Sequence, residues 1–77
     1  MNMKLETLFA QALGIAEEQV REDLTYQSIP QWDSVAHMGL IAQLEDAYGI
    51  LLDTDDIIDM SSVAKAREIL AKYDVAA

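Results

Sequence analysis

Apolar side chains recur along the chain with the spacing of amphipathic helices. The first stripe ends before Gly14 and consists of Leu5, Leu8, Phe9, Ala12 and Leu13. The second begins near Asp33 or Ser34, ends at Gly49, and consists of His37, Leu40, Ile41, Leu44 and Tyr48. The third follows a capping serine, Ser61 or Ser62, and consists of Val63, Ala66, Leu70 and Tyr73. Each stripe predicts a helix that buries one face.

The segments between the stripes are less regular. From Gly14 to Asp33 no period is sustained, and a connection this long in a small domain is often functional. Four apolar residues are expected to anchor it to a core: Ile15, Val20, Leu24 and Ile29. The stretch "ILLDTDDIIDM" leaves room for a short helical turn around Asp55 to Ile58. We therefore predict an all-α fold, a small four-helix bundle with three main helices and one short helix.

The length and composition limit the kind of protein. The chain has 77 residues, which predicts a single domain over 1–77. Its hydrophobic content of 52% supports a compact core, and it has no cysteine. No apolar run approaches the roughly 20 residues that span a bilayer, and the N-terminus lacks the layout of a secretory signal. We expect a cytoplasmic monomer that contacts no membrane.

The charge restricts the partners. Fourteen acids oppose five bases and give a formal net charge of −9. Repulsion from phosphates argues against nucleic acid, whereas the same field speeds encounter with proteins that present basic patches. Solubility alone is the alternative explanation for the surplus acid. The stretch "DTDDIIDM" lacks the central glycine and terminal glutamate of an EF-hand loop, so no metal site is predicted.

Ser34 allows three interpretations. It or Asp33 is a good N-cap for the second helix. It is a candidate nucleophile with Asp33 and His37, but His37 belongs to the inward stripe and the G-x-S-x-G elbow is absent. It is also a candidate attachment point, because the free N–H groups and the dipole at a helix N-terminus favour a phosphodiester. The residues alone leave these interpretations open.

The stretch "WDSVAHMGLIAQLEDAYGI", followed by "DMSSVAKAREIL", resembles the acyl carrier protein family, including peptidyl and aminoacyl carriers. The similarity extends over nearly the whole chain. It implies that Ser34, in the Asp33–Ser34 motif, receives 4′-phosphopantetheine from coenzyme A through a phosphopantetheinyl transferase that uses Mg²⁺. The thiol of this arm would hold an acyl or aminoacyl group as a thioester between separate enzymes. The protein itself would catalyse nothing, and its working thiol would be imported rather than encoded.

The resemblance also implies a surface that meets partner enzymes. We expect it to include Val35, Met38, Glu45, Asp46, Asp55 and Ile58. Several residues depart from the usual fatty-acid type: Trp32 replaces a glycine, Val35 replaces a leucine, and Ala36 and Gly39 replace exposed acids. These departures favour a discrete carrier in a specialised polyketide, nonribosomal peptide or modified-acyl pathway. A fatty-acid synthesis carrier and an arm-less adaptor bundle are the alternatives.

Two residues near the motif have both a packing and a partner-binding interpretation. Trp32 either packs across the loop or touches the transferase or the arm, and packing is favoured because aromatic rings stabilise chiefly through buried area. Gly39 costs about 1 kcal/mol relative to alanine inside a helix. It either allows close packing against a neighbouring helix or gives a partner a flat spot near the arm.

Overall fold

The computed structural model describes residues 4–75, and this part of the chain is helical. Its four α-helices are α1 (Leu5–Leu13), α2 (Ser34–Tyr48), α3 (Thr54–Asp59) and α4 (Val63–Lys72). The all-α prediction, with three main helices and one short helix, is confirmed. Within residues 4–75 no helix is both long and apolar enough to cross a membrane.

The helices begin and end at residues suited to those positions. Gly14 and Gly49 follow α1 and α2 in the left-handed conformation, with φ of 68° and 65°, where a side chain would be strained. Ser62 caps α4, because its Oγ accepts a hydrogen bond of 2.9 Å from the N–H of Lys65. The predicted ends of the first two helices and the serine cap of the last helix are thereby confirmed.

The predicted stripes form the core. The largest fully buried side chains come from all the helices except α3, and from the loops: Trp32, Phe9, Leu5, Leu40, Leu44, Met60, Leu70 and Val63. His37, Tyr48 and Tyr73 lie at the ends of their stripes and are half-buried. Ile69 is also buried, although the predicted stripe of the last helix omitted it.

The long connection before α2 is ordered by contacts with α4. A 3₁₀ turn that the sequence did not reveal, Glu17–Gln19, leads to the buried Val20. Farther along, the N–H of Tyr26 donates to the carbonyl of Ser61 over 2.9 Å, and the N–H of Val63 donates to the carbonyl of Leu24 over 3.0 Å. These bonds hold the loop beside the start of α4 and so fix where it approaches α2.

A tight turn then delivers the chain to α2. Gln27 has a positive φ of 65°, which is uncommon for a residue other than glycine. Its N–H donates to the carbonyl of Trp32 over 3.0 Å, and the N–H of Trp32 donates to the carbonyl of Ile29 over 3.2 Å. The turn therefore closes on Trp32, the last residue before the capping residue of α2.

Arg67 joins three parts of the chain. Its guanidinium donates to Glu6 of α1 over 2.9 Å and to Glu22 of the loop over 3.0 Å. The hydrogen bonds with Glu22, and then those with Glu6, raise the pKa of Arg67. All three side chains are partly exposed, so solvent screening limits their contribution to stability.

Asp56 fastens α3 to α4. Its carboxylate accepts hydrogen bonds of 2.6 Å from both the Lys72 ammonium and the Tyr73 hydroxyl. The bond from Lys72, followed by the one from Tyr73, lowers the pKa of Asp56. The short helix α3 thus has a polar attachment on its Asp56 side in addition to the apolar contacts that Ile57 makes with the core.

Candidate functional site

Ser34 is the first residue of α2, and its side chain is exposed. The carboxylate of Asp33 caps the helix by accepting the N–H of Ala36 over 2.8 Å. The sequence left the cap open between these two residues, and the structure assigns it to Asp33. Because Asp33 occupies the capping position, the Ser34 hydroxyl is not needed there. Within residues 4–75 it forms no hydrogen bond.

Both ring nitrogens of His37 contact residues other than Ser34. Its Nδ1 accepts the indole N–H of Trp32 over 3.0 Å, and its Nε2 lies 2.9 Å from the carbonyl oxygen of Ile57. Both ring nitrogens therefore have partners in the loop and in α3. A general base for Ser34 must reach its hydroxyl. These contacts give the nucleophile interpretation no support.

Trp32 is fully buried directly before the motif. Its ring packs edge-on against Phe9 of α1, with centroids 5.3 Å apart, and against Tyr26 of the loop, at 6.1 Å. The prediction that Trp32 packs across the loop is confirmed. A buried indole leaves no surface for a transferase, so the alternative role of direct contact is wrong.

A groove of about 320 Å³ opens beside Ser34 between the loop, α2 and α3. Its lining is mainly apolar and consists of Tyr26, Ser34, His37, Met38, Ile57, Ile58 and Met60. No carboxylate, ammonium or guanidinium group is among these residues. Sequence reasoning did not find Tyr26, Ile57 or Met60, because they come from segments without a sustained period.

The apolar residues predicted to meet partners lie around Ser34. Val35 is 79% exposed, Met38 58% and Ile58 74%. The structure brings Met38 of α2 and Ile58 of α3 to the same groove as Ser34. Val35 follows Ser34 along α2. The three residues thus present apolar area on both helices that border the attachment candidate.

The acidic residues predicted for this surface are not equivalent. Asp46 and Asp55 are exposed. Glu45 is half-buried, and one of its oxygens accepts the N–H of Leu52 over 2.9 Å, so it also holds the chain that follows α2. Among residues 4–75 no group of three or more side chains has the arrangement of a metal site.

Ala36 differs from its expected placement, whereas Gly39 is exposed as expected. Ala36 is half-buried and packs against the core, so its interpretation as an exposed position is wrong. It lies one turn before Leu40 and therefore shares part of the buried face. Gly39 is exposed, and a Cβ added there would meet nothing within 4 Å. The interpretation of Gly39 as a residue that allows close packing against a neighbouring helix is therefore wrong as well. The remaining hypothesis is that Gly39 gives a partner a flat spot near the arm.

The four-helix fold and the exposed serine at the start of α2 agree with the carrier domain that the sequence resemblance implies. A family described as "Phosphopantetheine attachment site" matches residues 4–69, and the chain belongs to this family. The chain is 24% identical over 70 residues to a protein named acyl carrier protein from Lactobacillus johnsonii (strain CNCM I-12250 / La1 / NCC 533). That similarity covers 91% of this chain and 88% of the relative. No solved structure matches the chain.

Family membership identifies the cofactor. The domain of this family is the site of covalent 4′-phosphopantetheine attachment. Carrier proteins of the family are modified by a phosphopantetheinyl transferase and interact with acyl-processing enzymes. The residues around Ser34 fit such a group. The Ser34 hydroxyl is accessible, and a groove without charged residues adjoins it. The first turn of α2 has N–H groups that favour an anion.

We predict that Gly39→Ala stabilises the protein by about 1 kcal/mol, because alanine has the better helix propensity and its Cβ meets open space. Urea unfolding followed by circular dichroism measures the change. Gly49→Ala is the matched control and should destabilise the protein, since the backbone at Gly49 has a φ of +65°. A loss of stability in Gly39→Ala would contradict the account of an unconstrained, exposed site.

Proposed function

We propose that this protein is a discrete acyl carrier that bears 4′-phosphopantetheine on Ser34. One observation supports the choice of residue most strongly: the Ser34 hydroxyl stands at the start of a capped helix yet takes no part in the cap. A side chain that is exposed on a rigid support suits a modifying enzyme, which must approach it from outside.

The attachment is a phosphoryl transfer at the Ser34 hydroxyl. The Ser34 oxygen forms a bond to the phosphorus nearest pantetheine, and the pyrophosphate bond of coenzyme A breaks. The departing 3′,5′-ADP takes the electron pair, and the hydroxyl proton passes to the transferase or to solvent. Since both ring nitrogens of His37 have partners in Trp32 and Ile57, His37 is not the acceptor of this proton.

The remaining residues position the attachment point and receive partners. Asp33 fixes the first turn of α2, and Trp32 anchors the preceding chain in the core. When attached, the arm would supply a terminal thiol, a group that can hold acyl or aminoacyl cargo. In this proposal the protein has no catalytic residue of its own, and separate enzymes load and process the cargo.

Two features support partner enzymes with basic docking patches. The chain has a net charge of −9, and Asp46 and Asp55 are exposed. Close to Ser34, beside the capping Asp33, the apolar side chains of Val35 and Met38 are exposed. Partners would therefore contact apolar area near the arm and acidic residues farther away. This combination favours a specialised polyketide, nonribosomal peptide or modified-acyl pathway over general fatty-acid synthesis.

We predict that a broad-specificity phosphopantetheinyl transferase, with coenzyme A and Mg²⁺, increases the intact mass of the protein by one phosphopantetheine group. The Ser34→Ala variant should show no increase, because its side chain has no oxygen to form the ester. Mass spectrometry of both proteins, with circular dichroism to confirm equal helix content, provides the measurement. A folded wild-type protein that stays unmodified beside a competent carrier would favour the arm-less adaptor.

We predict that Ile58→Lys lowers kcat/KM for modification of Ser34 by about tenfold, which corresponds to about 1.4 kcal/mol. Ile58 is exposed at the edge of the groove, where a lysine removes apolar contact with a partner. Leu51→Lys is the control, since Leu51 is 82% exposed, lies outside the groove and receives the same charge. Equal effects of the two substitutions would contradict a docking surface around Ser34.

A further inference from the structure

The short helix α3 bears part of the surface beside Ser34 but has few means of its own to hold its position. Its residue Ile58 lines the groove next to Ser34 and is exposed. The helix has six residues, fewer than an isolated helix needs to be stable in water. Its N-cap residue, Asp53, makes no side-chain capping hydrogen bond. The position of α3 therefore depends on contacts with the rest of the protein.

The Tyr73 hydroxyl binds α3 at two points. It accepts a hydrogen bond of 3.0 Å from the backbone N–H of Asp53, directly before the helix. It donates a hydrogen bond of 2.6 Å to the carboxylate of Asp56, in the first turn of the helix. Tyr73 follows the last residue of α4, so these bonds join the start of α3 to the end of α4.

Asp56 is the one residue of α3 (Thr54–Asp59) that is buried. Successive residues of an α-helix are about 100° apart around its axis, so residues two positions apart lie on nearly opposite sides. Asp56 and Ile58 have this spacing. Because Asp56 is turned toward the end of α4, Ile58 is turned away from it and toward the groove beside Ser34. The contacts of Asp56 thereby set the rotation of α3 about its own axis.

The other contacts of α3 do not replace the bond between Asp56 and Tyr73. Lys72 also donates to Asp56, but its side chain is 61% exposed, so solvent screens this ion pair. Ile57 packs against the core, and its carbonyl oxygen lies 2.9 Å from Nε2 of His37. These contacts of Ile57 hold α3 along one line, and the Tyr73 hydroxyl gives the start of the helix its second support.

We propose that Tyr73 is a positioning residue, whose hydroxyl holds α3 in the orientation that presents Ile58 to the enzyme that modifies Ser34. The effect on modification rests on the proposed function, in which partner enzymes contact Ile58. The placement of Ile58 by Tyr73 rests on the hydrogen bonds of the hydroxyl and can be tested without a transferase.

Tyr73→Phe tests this placement, because it removes the hydroxyl and keeps the ring. NMR of the Ile58 methyl groups, whose signals are assigned by their absence in Ile58→Ala, reports where this side chain lies. We expect the Ile58 signals to shift in Tyr73→Phe, while those of Ile41, which is buried in α2, stay constant. Circular dichroism confirms that the variant is folded. Unchanged Ile58 signals in the folded variant would overturn the proposal.

Tyr48→Phe is the matched control, because it removes the same atom from a second half-buried tyrosine. Tyr48 lies at the opposite end of α2 from Ser34, close to the charges of Glu6 and Arg67. We expect wild-type Ile58 signals and a wild-type rate of modification in this variant. A shift of the Ile58 signals as large as that in Tyr73→Phe would overturn the proposal.

The consequence for Ser34 is measured as kcat/KM of a broad-specificity phosphopantetheinyl transferase. We expect Tyr73→Phe to lower this value severalfold when Ile58 is present. In Ile58→Ala the same substitution should have no further effect, because the side chain that Tyr73 positions is missing. A general loss of stability would lower the rate equally in both backgrounds, and that result would overturn the proposal.

Asp56 provides a second pair of variants, which decides the matter even if Tyr73→Phe does not fold. Asp56→Asn keeps a hydrogen-bonding partner for the Tyr73 hydroxyl, whereas Asp56→Ala removes it. The Ile58 signals should stay close to those of the wild type in Asp56→Asn and should shift in Asp56→Ala. Equal shifts in the two variants would overturn the proposal.

Failure of the proposed function has a different signature. If the wild-type protein were not modified at Ser34, the proposed function would be refuted. The Ile58 signals would still decide whether Tyr73 positions α3, because they are recorded without a transferase.

Discussion

The hydrogen bond between Trp32 and His37 determines how the candidate site is presented. A long loop with one short 3₁₀ turn must reach the start of α2 at one defined place. Trp32 provides that place, because its ring is buried against Phe9 and its N–H is satisfied by His37. A buried aromatic ring contributes a large apolar area, and a satisfied N–H avoids the cost of burying it unpaired. The loop end is thereby fixed immediately before the motif.

The two residues of the Asp33–Ser34 motif have different roles. Asp33 accepts a backbone N–H and so takes the structural task at the helix start. Ser34 is left with an exposed hydroxyl on a backbone that the cap holds in place. An aspartate directly before the serine therefore suits an attachment site, because one side chain stabilises the helix while the other stays accessible. The nearby groove adds apolar area without any charged group.

The sequence predicted the helices well because their signals are local. Apolar spacing located the buried faces, and Gly14 and Gly49 marked the ends of α1 and α2. The site was predicted less completely. His37 appeared as an inward residue, but its partners Trp32 and Ile57 depend on how the loop and α3 pack, which no periodicity records.

The same limitation explains the errors at single positions. Ala36 was assigned to the exposed face by analogy with related carriers, whereas the orientation of α2 turns it toward the core. Gly39 allowed either close packing or a flat spot for a partner, and the open space around it excludes the packing interpretation. The bridge between Thr25 and Ser62 depends on long-range backbone pairing, and the left-handed Gln27 belongs to the turn that closes on Trp32. Apolar spacing records neither feature.

The central claim is that Ser34 and no other serine receives the arm. Cleavage after Arg21 and Lys65 yields a peptide of residues 22–65 that contains Ser28, Ser34, Ser61 and Ser62. Fragmentation of this peptide from the modified protein by mass spectrometry tests the claim most directly. Our account predicts phosphopantetheine on Ser34 alone. Phosphopantetheine on any other serine of the peptide would contradict it.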